Sequence, residues 1–190
     1  MAKPAPLIVV SGPSGAGKGT VVKRLLEMRP DVFVSVSATT RPARSGERHG
    51  TDYLFVSTQR FLAMRDRGEF LEWAEVYGNL YGTPRAPIET ALSQGRTALA
   101  ELDIQGAQAT KRAKPDAVLV FIEPPSLEDL VLRLRGRGTE DAESLSRRVK
   151  ASYEEVKAKG VYDHIVVNSV VETAAGELLR ILEEQEKARR

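Results

Sequence analysis

Lys18 is the residue whose placement implies the most chemistry. It closes the glycine-rich run Gly12-Pro13-Ser14-Gly15-Ala16-Gly17, which follows the apolar stretch Leu7-Ile8-Val9-Val10-Ser11 and precedes Gly19-Thr20-Val21-Val22. Glycines at 12, 15 and 17 let the backbone adopt positive φ and turn successive N–H groups onto phosphate oxygens. Lys18 then extends to the β- and γ-phosphates, and a helix over Gly19 to Met28 points its positive end at the same anion. A glycine-rich turn alone would need no ligand, but a buried strand before it and a helix after it are the context of a phosphate cradle. The segment is therefore expected to bind a nucleoside triphosphate. One position departs from the usual pattern, because Gly19 stands where Ser or Thr normally follows the lysine, and the hydroxyl comes one residue later at Thr20. Mg²⁺ is then expected to be held largely by the triphosphate and water, with few protein oxygens.

Phosphoryl transfer needs an acceptor, and a second group of residues has the right chemistry. Arg41 and Arg44 sit three residues apart on the proline-stiffened run Ser37-Ala38-Thr39-Thr40-Arg41-Pro42-Ala43-Arg44, and planar guanidinium forks clamp phosphate dianions. Tyr53 and Tyr81 read either as hydroxyl donors to that phosphate or as half-buried packing. Glu101 and Asp103 lie two apart at the end of a strand, so both project from one face at the carboxyl edge of a sheet, where α/β folds bind ligands. Asp103 is the better candidate for a magnesium-bound water. The arginines 133, 135, 137, 147 and 148 surround Gly136-Arg137-Gly138-Thr139-Glu140-Asp141 and suit a lid closing over phosphates. They also fit two solvated helix faces with pairs such as Glu143–Arg147.

The elements that must position these groups alternate. Leu7–Val10, Ala117–Ile122 and Ile165–Val167 are wholly apolar and read as strands covered on both faces, with Val32–Ala38 and Thr97–Asp103 as two more. Helical patterns lie at Gly19–Met28, Pro84–Ser93, Gly106–Ala113 and Ser126–Leu134. A final helix has Ser169 and Glu172 as a capping box and an apolar face of Val171, Ala174, Ala175, Leu178 and Leu182. Strand alternating with helix predicts α/β, a five-stranded parallel sheet flanked by helices. From Thr39 to Thr83 the chain is polar and reads as a small inserted mixed β/α subdomain with strand pieces at Asp52–Val56 and Phe70–Val76. At 190 residues one domain suffices. The 28 Lys+Arg against 26 Asp+Glu leave a charge of only +2, too balanced to imply nucleic-acid binding. No cysteine is present, so disulfides and thiolate metal sites are excluded. With no signal-peptide stretch and no apolar run of membrane-spanning length, a cytoplasmic location is expected.

The whole chain resembles guanylate kinase, a P-loop nucleoside monophosphate kinase family. The resemblance rests on blocks in order: Ser11–Lys18, Ser35–Arg41, Gly50–Tyr53, Phe70–Ala74, Gly78–Thr83, Leu102–Ala107 and Arg137–Thr139. It implies transfer of a phosphoryl group from ATP to GMP with Mg²⁺, over a domain of residues 5–185. Its core would be about 5–38, 84–132 and 150–185, the GMP-binding insert about 39–83 and the mobile lid about 133–149. By that resemblance ATP is held by Gly12, Pro13, Ser14, Gly15, Ala16, Gly17, Lys18, Gly19 and Thr20 with Arg133, Arg137 and, near the adenine, Asn168. The GMP phosphate falls to Arg41, Arg44, Tyr53 and Tyr81, the guanine to Ser37, Glu72 and Thr83, and Glu101 and Asp103 line the nucleotides. Thr20 and Asp103 would serve the metal, and Lys18, Arg41, Arg137 and Arg148 the transfer itself.

Residue chemistry is consistent with this. Guanine offers N1–H and N2–H₂ side by side, which a carboxylate such as Glu72 accepts, whereas adenine would leave that charge unpaired, a mismatch worth roughly 10⁴-fold in a site built around hydrogen bonds. Read without the family pattern, Glu72 is an ordinary surface glutamate. Two other functions fit parts of the sequence: a guanylate-kinase-like binding module without catalysis, and a P-loop kinase for another small phosphate acceptor. Oligomeric state and a preference between GMP and dGMP are not expressed in these motifs.

Overall fold

The computed structural model describes residues 4–76, 78–135, 149–150, 152 and 155–189. Among the described residues nine strands form two sheets. The larger is five-stranded and parallel, in the order β2-β7-β1-β8-β9, built from β1 (Leu7–Ser11), β2 (Phe33–Val34), β7 (Ala98–Glu101), β8 (Val118–Glu123) and β9 (His164–Val167). The smaller has the order β4-β3-β6-β5, from β3 (Ala38–Thr39), β4 (Leu54–Phe55), β5 (Phe70–Val76) and β6 (Asn79–Pro84).

Alternate residues of the central strand divide the core. Ile8 and Val10 point to one face of the large sheet, where Val22 and Leu25 of α1 (Lys18–Met28) pack with Leu178 and Leu182 of the last helix. Leu7 and Val9 point to the other, with Ile88 and Leu92 of α3 (Arg85–Ser93) and Ala107 of α4 (Ile104–Ala113). Every residue of β1 is buried as a result. This is why the strand is an unbroken apolar run rather than an alternating one.

The insert has its own small core, Ala38, Phe61 and Phe70, in which the two phenyl rings stack at 4.5 Å. Phe61 comes from α2 (Thr58–Asp66), the helical part of the mixed β/α insert, which lies between the two expected strand pieces; Ser57 caps it by accepting the Arg60 N–H. Leu71 of β5 instead enters the core of the large sheet beside α4, which joins the insert to the rest of the protein.

Three local expectations are corrected. Val32–Ala38 is not one strand: the Ser35 N–H still bonds Leu99 O, but the Ser37 carbonyl already accepts from Leu54 of the insert, so the chain changes sheets within this run. The polar Ser35 and Ser37 mark the crossing. In β9 only Val166 is buried, while Ile165 and Val167 are more than 40% exposed, because an edge strand here is covered on one face. The last helix, α6 (Val171–Lys187), starts after Val170 with no side-chain cap. Asn168 N–H remains in the sheet ladder on Glu123 O, so the chain is still extended where the Ser169–Glu172 capping box was expected. Its apolar face forms as expected, with Ala174, Ala175, Leu178 and Leu182 buried.

The helix α5 (Leu127–Arg135) includes the first residues of the expected lid at about 133–149; Arg137, Arg147 and Arg148 lie outside the described residues. Among the described residues no helix is long and apolar enough to cross a membrane.

Candidate functional site

Chain direction assembles the site. All five strands of the large sheet run parallel, so the loops leaving the carboxyl ends of β1 and β7 emerge together beside one another. The β1 loop is the glycine-rich run. Gly12 has φ 141, and a Cβ there would overlap the Ile122 carbonyl of β8. Gly17 has φ 86, and a Cβ there would overlap the amide of Asn168. Both are left-handed positions with no room for a side chain. Lys18 folds back across the loop, its Nζ donating to Gly12 O at 2.8 Å and Pro13 O at 3.2 Å. The Ser14 N–H meets a carboxylate oxygen of Glu155 at 3.4 Å, an oxyanion already drawn to the loop's backbone donors.

Asn168 and Arg133 brace this loop from behind. The buried Asn168 donates Nδ2–H to Ala16 O at 2.8 Å, and Arg133 donates to Asn168 O at 3.1 Å and reaches Ala16 O at 3.5 Å. Asn168 Oδ1 is buried with no hydrogen-bond partner among the described residues.

From the β7 side, Glu101 ends the strand and Asp103 caps α4, accepting the Gly106 N–H at 2.7 Å. A Cβ on Gly19 would stand 3.4 Å from Glu101 Oε2, so the carboxylate lies over the start of α1 where the usual hydroxyl residue is missing. Thr20 is exposed in the first turn of α1. Among the described residues no three His, Cys, Asp or Glu groups cluster as metal ligands. The oxygen donors of Thr20 and Asp103 suit Mg²⁺ chemically, since that ion keeps water and takes most of its ligands from phosphate.

The insert supplies the opposite wall. A register shift between Phe70 and Glu72 interrupts the alternation of β5, so Phe70, Leu71 and Glu72 are each buried, in the insert core, the main core and the site. Glu72 is only 8% exposed. Thr83, its register partner on β6, donates its hydroxyl to Glu72 Oε1 at 2.6 Å, and Ser37 Oγ lies 3.3 Å from Thr83 Oγ1. Burial pushes the Glu72 carboxyl up to about 7, the Thr83 hydrogen bond opposes this, and the charge of Asp103 adds to it. A Cβ on Gly106 would come within 2.9 Å of Glu72 Oε2, so the helix carries glycine where the carboxylate lies against it.

Tyr53 and Tyr81 meet edge to face at 6.0 Å and stand beside Arg41, whose guanidinium lies 5.4 Å from the Tyr53 ring centroid. Arg41 makes two hydrogen bonds to Glu47, at 2.8 and 2.9 Å. Arg44 is exposed and holds the same carboxylate through its backbone N–H at 2.7 Å. Glu47, which the sequence analysis does not single out, is therefore the organiser of this loop.

One cavity of about 240 Å³ joins these parts, lined by Lys18, Glu101 and Asp103 on one side and by Ser37, Tyr53, Glu72 and Tyr81 on the other. Sequence reading finds all seven of these residues. It misses Gly106, whose only signal is a glycine inside a helix two residues past its first residue, where propensity disfavours it.

Comparison with known proteins points one way. A family model described as Guanylate kinase matches residues 4–185. The guanylate kinase of Synechococcus sp. (strain CC9311) is 47% identical over 170 residues, 90% of this chain and 90% of the relative. That of Aromatoleum aromaticum (strain DSM 19018 / LMG 30748 / EbN1) is 48% identical over 179 residues, 94% of this chain and 88% of the relative. The crystal structure of guanylate kinase from Anaplasma phagocytophilum matches with a TM-score of 0.82 at 35% identity, covering 97% of this chain and 88% of that one.

Proposed function

The chain belongs to the guanylate kinase family and is an ATP:GMP phosphotransferase, and on that premise we propose how its own residues divide the work. One observation carries the assignment of the site: Lys18 and the buried Glu72 line the same cavity. The backbone of Gly12–Thr20 receives the ATP phosphates, with Arg133 and Asn168 bracing the loop and Asn168 Oδ1, which has no partner among the described residues, suited to an amino group such as that of adenine. The insert, about residues 39–83, receives GMP. Glu72 accepts guanine N1–H and N2–H₂, the Ser37–Thr83 hydroxyl pair lies beside it, and Arg41, Arg44, Tyr53 and Tyr81 surround the phosphate.

The acceptor phosphate has a second pKa near ~6 and is mostly dianionic at neutral pH, so no general base is required. Catalysis is then alignment and neutralisation of charge as the phosphoryl group passes between two phosphates. Lys18 supplies positive charge on the donor side and Arg41 holds the acceptor in line, with Arg137 and Arg148 of a lid at about 133–149 completing the set. Mg²⁺ arriving with ATP would be held by Thr20 and, through water, Asp103; when bound it supplies further neutralisation of the triphosphate. Transfer to GMP rather than to water requires insert and lid to close over the sheet.

An acceptor screen tests this assignment. With ATP and Mg²⁺, ADP release is expected with GMP and far more slowly with AMP, CMP or UMP, and dGMP in the same screen reports on the ribose. AMP or UMP outperforming GMP would overturn the guanine slot, and GMP binding without ADP release would mean a binding module.

The Gly106–Glu72 contact gives a second test. Gly106→Ala is expected to raise KM for GMP about tenfold, equivalent to about 1.4 kcal/mol, because the new methyl displaces the carboxylate. Stability should stay within ~1 kcal/mol, since the atom that must move is the end of a side chain and alanine favours the helix over glycine. KM values and a urea melt check it; a folded variant with wild-type KM removes Gly106 from the slot.

A further inference from the structure

Glu155 is a charged residue that the transfer chemistry leaves unused, and it stands on the phosphate loop. Its carboxylate accepts the Ser14 N–H at 3.4 Å, from 141 residues away along the chain. Lys159 and Tyr162 follow it four and seven residues on, a helical spacing, and reach the same edge of the large sheet. Lys159 Nζ donates to Glu123 Oε1 at the end of β8 at 2.7 Å, and the Tyr162 hydroxyl donates to Ser11 Oγ at the end of β1 at 3.0 Å. Burial, helped by the charges of Asp103 and Glu155, pushes the Tyr162 hydroxyl up to about 12, in keeping with a Glu155 carboxylate on the nucleotide side of that edge.

The three contacts are unequal. Charge-assisted N–H···O⁻ bonds usually close to about 2.7–2.9 Å, so Lys159–Glu123 is a firm anchor and Glu155–Ser14 a loose one. The Glu155 side chain can therefore leave the loop while the segment that carries it stays attached to β1 and β8. The loop N–H groups are the donors a phosphate needs, and one N–H does not serve two anions well. A carboxylate on the loop also repels an arriving phosphate. We propose that Glu155 is a built-in competitor for the ATP phosphates: its carboxylate takes the Ser14 N–H, and the triphosphate binds by displacing it. This rests on the assignment of the Gly12–Thr20 loop to ATP above. Such competition lowers the apparent affinity by the fraction of molecules whose loop is open to the ligand. It acts on the donor nucleotide alone, because the residues assigned to guanine and its phosphate lie across the cavity.

That difference between the two nucleotides supplies the test. Affinities for ATP with Mg²⁺ and, separately, for GMP are measured by calorimetry on the wild type, Glu155→Gln and Glu155→Asp, with circular dichroism confirming the fold. Glu155→Gln is expected to bind ATP about fivefold more tightly and GMP as the wild type does; a fivefold gain corresponds to a carboxylate on the loop in about four of five wild-type molecules. Glu155→Asp keeps the charge but draws it back by one methylene, so its gain should fall between the two, and it carries the test should the Gln variant not fold. ATP should also raise the melting temperature of the tighter variants by more than that of the wild type. Unchanged or weaker ATP binding would make Glu155 a support of the loop, and equal tightening of both nucleotides would mean a general change in the protein; either result overturns the proposal. A wild type that binds GMP but not ATP would instead refute the assignment of the loop itself.

Discussion

Glu72→Gln is expected to produce a protein that is more stable at pH 8 and less able to tell GMP from AMP. The stability change follows from the carboxyl's position, because burial lifts its pKa to about 7 from the ordinary 4.5. Between those two values the folded protein keeps a proton that the unfolded chain releases, so stability falls as pH rises through the window and stays low above it. Over this span the linkage is worth roughly 3 kcal/mol at most. The glutamine carries no charge and still accepts from Thr83, so the variant should gain little at pH 4 and on the order of 1–3 kcal/mol at pH 8, read from denaturant melts. A gain independent of pH would show that Glu72 is not the titrating group.

The same substitution should damage base choice. Guanine's two adjacent donors need both carboxylate oxygens, and an amide offers one acceptor beside a donor. That donor now suits adenine N1, so the GMP:AMP ratio of kcat/KM is expected to fall by at least about 10²-fold, through higher KM for GMP as well as better use of AMP. An unchanged ratio removes Glu72 from specificity. The pair of results describes one residue whose buried charge destabilises the free protein and is matched only by the correct base. For the same reason GMP should bind the wild type more tightly as pH rises from 6 to 8, beyond the gain from phosphate ionisation, and Glu72→Gln should flatten the excess.

Lys18→Met is the second large effect. The ammonium is the positive charge that the P-loop itself brings to the cavity, and in the free protein it bonds two loop carbonyls, Gly12 O and Pro13 O. Methionine preserves most of the stem and removes the charge. Loss of one preorganised electrostatic contact to a transferring phosphoryl group is expected to lower kcat by at least about 10²-fold. The fold should survive, because two hydrogen bonds to loop carbonyls contribute only about 1–3 kcal/mol in all. Single-turnover kinetics on a variant with native circular dichroism checks this; near-normal turnover would remove Lys18 from catalysis.

Much of this site is legible in the chain because its chemistry is local. Gly12, Gly17 and Lys18 work within one loop, so their spacing alone specifies a phosphate cradle, and Leu7–Val10 announces a strand buried on both faces by its unbroken apolar character. The β5 and β6 hairpin likewise carries Glu72 and Thr83 close enough in sequence for a motif to record them. Sequence periodicity fails where a contact is made between distant segments. The Ser169–Glu172 pattern is a sound capping box in isolation, but pairing of Asn168 with Glu123 keeps the chain extended through that point. Val32–Ala38 reads as one strand because Val32, Phe33, Val34 and Val36 give it a β-branched and aromatic character, whereas its hydrogen-bond partners belong to two different sheets.

What the amino-acid order determined by itself was the set of reactive groups, the alternating α/β plan and the triphosphate loop, all consequences of neighbours along the backbone. Only the tertiary structure decided that Glu72 is buried against Gly106, that Asn168 braces Ala16 from 152 residues away, and that Glu47 occupies one edge of Arg41. Burial and charge pairing depend on what packing brings within a few ångströms, and a carboxylate that reads as a surface residue becomes a selective one when water is removed from around it.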